Sequence, residues 1–234
     1  MEKSRPKKQQ AFNPVSPIVV LLVGIMVVVE LALQAGEHGL IGGPQAIGWR
    51  LELIRFFGFH KAVFDHIRMG GEIEPKVLWP FFTYFFMPRG FVSVLISGAL
   101  ILAMGKLISD RFSGLAMLAI FVVCSLAGAL AFGFWSTPGG FPLIGAYPVF
   151  YGVIGTFTWI RISDLRAEGA SILPAFTAVG MFFVFRGGFA LYYGLSNSWM
   201  ADLAGLLAGF LLAYLIAPDG KDRMRGWLDA LRNR

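Results

Sequence analysis

Cysteine, histidine and charge are all scarce in this chain of 234 residues. The single cysteine, Cys124, excludes an internal disulfide and a metal site built from cysteines. Charged residues make up 15% of the sequence, against about 25% in ordinary soluble domains. Hydrophobic residues reach 56%. This balance excludes an ordinary soluble domain and indicates a protein built for lipid.

The three histidines do not form a convincing metal site. His60 and His66 are six positions apart, about 240° around a helix, so they do not share a face as an i,i+4 pair does. His38 lies far upstream of both. Ordinary histidines near the membrane interface are the simpler interpretation, and we expect neither a metal nor any other cofactor.

Long apolar runs with many glycines and phenylalanines take up most of the chain. The counts are 29 Gly and 23 Phe, and both residue types suit packed membrane helices. Six runs approach the roughly 17–25 apolar residues that cross a bilayer. They cover residues 17–35, 90–107, 113–135, 146–162, 172–192 and 198–217. We therefore predict an all-α membrane protein with a bundle of six transmembrane helices.

The first apolar run follows a basic segment, as it does in a secretory signal peptide. The run, from Ile18 to Leu33, is longer than the apolar core of a usual signal peptide, and further spans follow it. We interpret it as a signal anchor that stays in the membrane. The basic residues before it are Lys3, Arg5, Lys7 and Lys8.

Lysine and arginine set the expected orientation, because they collect on the cytoplasmic side of membrane proteins. With both termini inside, 13 of the 20 basic residues are cytoplasmic and six are outside. We expect a basic cytoplasmic segment at 1–16, a membrane domain at 17–218 and a basic cytoplasmic tail at 219–234, in a bacterial cytoplasmic (inner) membrane. The net charge of +6 then favours anionic lipid of the bilayer as a partner, and no nucleic acid.

The segment between the first two spans, about 36–78, carries an amphipathic pattern. In "IGWRLELIRFFGFHKAVFDHI" apolar residues recur near helical spacing, while the charged residues mostly take other faces. This predicts one or two helices, broken near Gly58, that either lie in the outer membrane interface or pack on the bundle. The apolar set is Trp49, Leu53, Phe56, Phe57, Val63, Phe64 and Ile67.

Small residues line one face of the sixth span and recur in the fourth, where they let another helix approach closely. They are Ala201, Gly205 and Gly209 in the sixth span, and Gly145, Gly152 and Gly155 in the fourth. With the long amphipathic first outer loop, these two helices form a recognisable set. Over about 14–218 the chain resembles a rhomboid intramembrane serine protease of the six-helix type.

The chain matches the small-residue pattern around the family's active site but differs from the family at the catalytic positions. In the family the fourth helix reads Gly-x-Ser-Gly, and its nucleophilic serine falls on Tyr147 here, with the following glycine on Pro148. The sixth helix reads Ala-His-x-x-Gly-x-x-x-Gly, and its catalytic histidine falls on Asp202. In the second helix the family's His-x-x-x-Asn, which helps the oxyanion hole, falls on Ser93 and Ser97.

These replacements imply a vestigial dyad and a vestigial oxyanion hole, because a Ser–His dyad needs both a nucleophile and a base. The resemblance therefore implies a pseudoprotease that binds or routes transmembrane segments of client proteins. The alternative is an active serine-type endopeptidase that uses unconventional residues. A small transporter is a weaker alternative, since we find no inverted repeats or broken helices.

Asp202 needs a partner, because an ionised side chain in hydrocarbon costs roughly 2.5–3.5 kcal/mol. Arg186 lies in the fifth span at much the same depth, which predicts an intramembrane charge pair with Asp202. A Tyr147–Asp202 hydrogen bond is one alternative, and snorkelling of Arg186 to the headgroups is another. Glu30, near the outer end of the first span, is expected to reach headgroups or a loop partner.

Overall fold

The structure, a computed structural model, describes residues 15–193 and 198–217. The regular elements in these ranges are helices, which confirms the predicted all-α class. The α-helices are α1 (Pro17–Glu37), α2 (Trp49–Phe57), α3 (Lys61–Arg68), α4 (Pro75–Leu78), α5 (Pro80–Thr83), α6 (Phe91–Ser109), α7 (Gly114–Trp135), α8 (Tyr147–Ala167), α9 (Thr177–Tyr193) and α10 (Trp199–Ile216). Turns of 3₁₀-helix occupy Gly43–Gly48, Tyr84–Phe86 and Leu173–Phe176. The tail at 219–234 and nearly all of the segment at 1–16 lie outside the described residues.

Four of the described helices are long and apolar enough to cross a membrane: α1, α6, α7 and α10. The helix α8 is equally long, but its C-terminal part carries Arg161, Asp164 and Arg166. The apolar helical stretch Leu173–Gly188, which includes most of α9, is shorter than a full span. The chain therefore has a multi-pass membrane architecture, and the count of six spans stays a prediction.

Glycines bring α8 and α10 into backbone contact at the centre of the bundle. A Cβ atom at Gly205 collides with the carbonyl oxygen of Pro148, and one at Gly209 collides with the carbonyl oxygen of Gly152. The hydroxyl of Thr156 donates a hydrogen bond across the same contact to the carbonyl oxygen of Gly209, at 3.1 Å. This close approach fixes how the first turn of α10 sits against the first turn of α8.

We predict that Gly209→Val lowers the free energy of unfolding by about 1–3 kcal/mol or more, because the added carbons overpack the α8–α10 contact. Gly24→Val in α1 is the matched control, since a Cβ atom at Gly24 meets nothing within 4 Å. Thermal unfolding in detergent measures both variants. Equal effects of the two substitutions contradict the close α8–α10 approach.

The amphipathic segment forms two helices, α2 and α3, with a break at Gly58 as the pattern predicts. The helix α3 packs on the bundle: Phe64 is buried against Gly133 of α7, and Lys61 donates to the carbonyl oxygen of Gly133 at 2.8 Å. The helix α2 buries none of its residues and exposes Leu51. The bundle-packed alternative thus holds for α3, while a location of α2 in the membrane interface stays a prediction.

Arg50 ties α2 to α1 and to the segment before α6. Its Nη1 and Nη2 atoms each lie 3.0 Å from a carboxylate oxygen of Glu30, whose side chain is 1% exposed. Its Nε atom donates to Glu37 at 2.5 Å, and its Nη1 atom also donates to the carbonyl oxygen of Pro88 at 3.3 Å. Hydrogen bonds to Glu30, then to Glu37, raise the pKa of Arg50, so it stays charged. Glu30 therefore has the loop partner that was one of its two expected environments.

Candidate functional site

The candidate site lies where α8 and α10 both begin. Tyr147 is the first residue of α8, and Asp202 lies in the first turn of α10. One turn beyond Asp202, Gly205 rests on the backbone of Pro148, the neighbour of Tyr147. The glycine contact thus places Tyr147 and Asp202, the two positions predicted to align with the dyad, at the same end of the same helix pair.

Gly145 shapes the approach to α8. Its φ of +93° lies in the region that favours glycine. Its N–H donates to the carbonyl oxygen of Tyr84 at 3.0 Å. The backbone at Gly145 therefore turns directly into α8, whose first residue is the partly buried Tyr147, followed by Pro148.

An ion pair joins α9 to α10 at this end of the bundle. The Nη1 atom of Arg186 lies 2.9 Å from Oδ2 of Asp202, and the two side chains are 28% and 6% exposed. The Nη2 atom of Arg186 donates to the hydroxyl of Ser198 at 3.0 Å. Arg186 therefore points to Asp202 rather than snorkelling away from it.

The carboxylate of Asp202 accepts no hydrogen bond from the described residues, although both oxygens are buried. The Arg186 contact is close but lacks the direction of a hydrogen bond. Among residues 15–193 and 198–217, no hydrogen bond links Tyr147 to Asp202 either. Of the two pairings expected for Asp202, the described contacts therefore contain the one with Arg186.

Ser93 and Ser97, the positions predicted to align with the oxyanion residues, lie on α6, and the hydroxyl of Ser97 already makes a hydrogen bond. Ser97 is buried, and its Oγ atom donates to the carbonyl oxygen of Ser93 at 2.7 Å, within the same helix. In the described part of the chain, neither serine hydrogen-bonds to Tyr147 or Asp202. A serine hydroxyl bonded to its own helix is poorly placed to stabilise an oxyanion.

Two residues near the site were not singled out from the sequence. Arg89 acts electrostatically on the carboxylate of Asp202, second in strength to Arg186. Tyr84 is fully buried, its hydroxyl donates to the carbonyl oxygen of Ser125 at 3.0 Å, and burial raises its pKa. The position of Arg89, directly before the second apolar run, could have indicated a role near the site. No feature of the sequence indicated such a role for Tyr84.

Within the described ranges, no group of three histidine, cysteine or acidic residues is placed to hold a metal ion. Arg186 pairs with the buried carboxylate of Asp202 and also donates to the hydroxyl of Ser198. In the described part of the chain, the arrangement therefore offers charge pairing and hydrogen bonding.

Comparison with known families identifies the family of the chain. The family model described as the Rhomboid domain matches residues 75–219, more than half of the chain. The matched range begins at α4 and includes Tyr147, Arg186 and Asp202. No curated protein matches the chain.

Proposed function

Because the chain belongs to the rhomboid family, we propose that it is a pseudoprotease that binds or routes transmembrane segments of other membrane proteins without cutting them. The observation that carries this proposal is the Arg186–Asp202 ion pair, at 2.9 Å, where the family has its catalytic histidine. A carboxylate held by a guanidinium is a poor base for a neighbouring hydroxyl.

The remaining catalytic positions support the same proposal. Tyr147 is a weak nucleophile at neutral pH and has no hydrogen-bonded base among the described residues. The hydroxyl of Ser97 is bonded to Ser93. Loss of a single oxyanion donor already costs about 10²–10³ in rate. Nucleophile, base and oxyanion donors are therefore all changed together.

Binding of a client's transmembrane segment does not require the family's Ser–His dyad, so it can persist without catalysis. The resemblance implies that a transmembrane segment enters laterally between the second and fifth helices, here α6 and α9. Val92 and Leu95 on α6, and Met181 and Val184 on α9, are exposed apolar residues. Such surfaces suit either lipid or an apolar client helix.

The full proposal places six spans, α1 and α6 to α10, in a bacterial cytoplasmic membrane. Both termini are cytoplasmic, and the loop that carries α2 and α3 is outside. A reporter fused after Arg234 is expected to read cytoplasmic, and one inserted at Gly70, an exposed residue between α3 and α4, is expected to read external. An external reading at Arg234 contradicts the six-span topology.

We predict that the purified protein in liposomes neither cleaves generic rhomboid substrates nor reacts with serine-directed fluorophosphonates. Ser93→Ala and Ser97→Ala should leave the protein equally inactive and unlabelled, as should Ser109→Ala at the partly exposed C-terminal end of α6. Specific labelling that disappears with Ser93→Ala or Ser97→Ala, but persists with Ser109→Ala, establishes the alternative, an active serine endopeptidase.

The double substitution Tyr147→Ser with Asp202→His should restore little activity. Pro148 still occupies the position of a glycine beside the nucleophile, and Ser93 and Ser97 still replace the oxyanion groups. The same cleavage assay measures this variant. Robust cleavage by the double variant means that the replaced dyad was the only defect.

A further inference from the structure

Asp202 is a buried carboxylate without a hydrogen-bond partner in the described part of the chain. Its side chain is 6% exposed, and neither Oδ1 nor Oδ2 accepts a hydrogen bond there. An ionised carboxylate has roughly four acceptor positions. Buried polar groups are nearly always hydrogen-bonded, so an exception calls for an explanation.

The charges around Asp202 restrict what can complete its hydrogen bonds. Arg186 lies 2.9 Å away, and Arg89 adds a second positive charge that acts on the same carboxylate. The carboxylate of Asp202 therefore has one guanidinium in contact and a second that acts on it from a longer distance. A third cation is unfavourable here, whereas a neutral hydroxyl or amide donates a hydrogen bond without adding charge.

The ion pair is reachable from outside the helix pair. Arg186 keeps 28% of its side chain exposed although Asp202 is buried behind it. Arg186 stands on α9, and among the described elements α9 packs mainly on α8 and on the turn Leu173–Phe176. The exposed part of Arg186 thus makes the ion pair accessible, and a group that takes the place of Arg186 contacts the carboxylate of Asp202.

We propose that Asp202 is the docking group for a neutral hydrogen-bond donor, a hydroxyl or a carboxamide, carried by the client's transmembrane segment. The inference rests on the proposed function and names the side-chain chemistry by which a client is chosen. The donor lies at the depth of Asp202, near the end of the bundle where α8 and α10 begin. Clients without such a donor bind less tightly.

The test uses full-length protein in phosphatidylcholine liposomes and four synthetic single-span Leu/Ala peptides. One peptide carries an Asn at the depth of Asp202, one carries it at the opposite end, one has Ala in its place and one has Lys. Energy transfer between labelled protein and peptide gives each dissociation constant. We expect the first peptide to bind about tenfold more tightly than the other three, as for a hydrogen bond to a charged group.

Two variants test whether Asp202 causes the tighter binding of the first peptide. Asp202→Leu should abolish it, and Asp164→Leu, which removes the partner of Arg111 in another ion pair, should preserve it. If Asp202→Leu does not fold, the comparison of peptides on the unaltered protein remains decisive.

The outcomes separate the two proposals. Equal binding of the Asn and Ala peptides overturns the inference and leaves client binding intact. Tighter binding of the Lys peptide overturns the neutral-donor assignment. Absence of binding by all four peptides overturns both client binding and the inference.

Discussion

Arg50→Gln lowers the free energy of unfolding by about 3–5 kcal/mol, the usual cost of leaving one member of a buried ion pair without its partner. Glu30, with a side chain 1% exposed, loses both of its 3.0 Å contacts to the guanidinium. The tie between α2, α1 and the carbonyl oxygen of Pro88 is lost with it. Thermal unfolding in detergent measures the change.

Arg55→Gln is the matched control for this prediction. Arg55 lies on the same helix, α2, and is exposed. Its removal should change the free energy of unfolding by no more than about 0.5 kcal/mol, as for most surface substitutions. If Arg50→Gln has an equally small effect, Glu30 does not depend on Arg50 and the loop is held by other contacts.

Asp202→Asn and Arg186→Gln are each expected to destabilise the protein, and the double variant should recover part of the loss. Breaking a buried pair costs up to about 3–5 kcal/mol. The cost is reduced in membranes because the unfolded chain also finds partners there. The double-mutant cycle gives the coupling energy of Arg186 and Asp202 directly.

Tyr147→Phe is the control for this cycle. Tyr147 shares no hydrogen bond with Asp202 in the described structure, so its coupling to Asp202 should be near zero. If Tyr147 couples to Asp202 while Arg186 does not, the carboxylate is held by a tyrosine hydroxyl. The ion-pair account of the site is then wrong.

Structural features that depend on residue spacing within one helix could be predicted from the sequence. Small residues four positions apart lie on one helix face, and the structure uses Gly205 and Gly209 as contact points with α8. The break at Gly58 between two amphipathic stretches was equally visible, because the apolar spacing changes register there. Similar depth on consecutive spans made the contact of Arg186 with Asp202 one of three arrangements that the sequence left open, and the structure contains this one.

Features that depend on the path of the loop were not predictable. Arg50 and Glu30 are twenty positions apart, and only the fold of residues 36–88 brings them together. The electrostatic effect of Arg89 on Asp202 depends on the fold in the same way. The hydropathy pattern predicted six spans, whereas four described helices are long and apolar enough to cross a membrane. One reason for the difference is α8, which combines a buried apolar stretch with charged residues at its C-terminal end.

The most direct test of the pseudoprotease account follows binding and cleavage of one client at once. A fluorescently labelled transmembrane substrate of active rhomboid proteases is titrated against the purified protein in liposomes, and the same samples are run on a gel. The account predicts saturable energy transfer with the substrate recovered intact. Substrate fragments that accumulate with time, or a complete absence of energy transfer, contradict it.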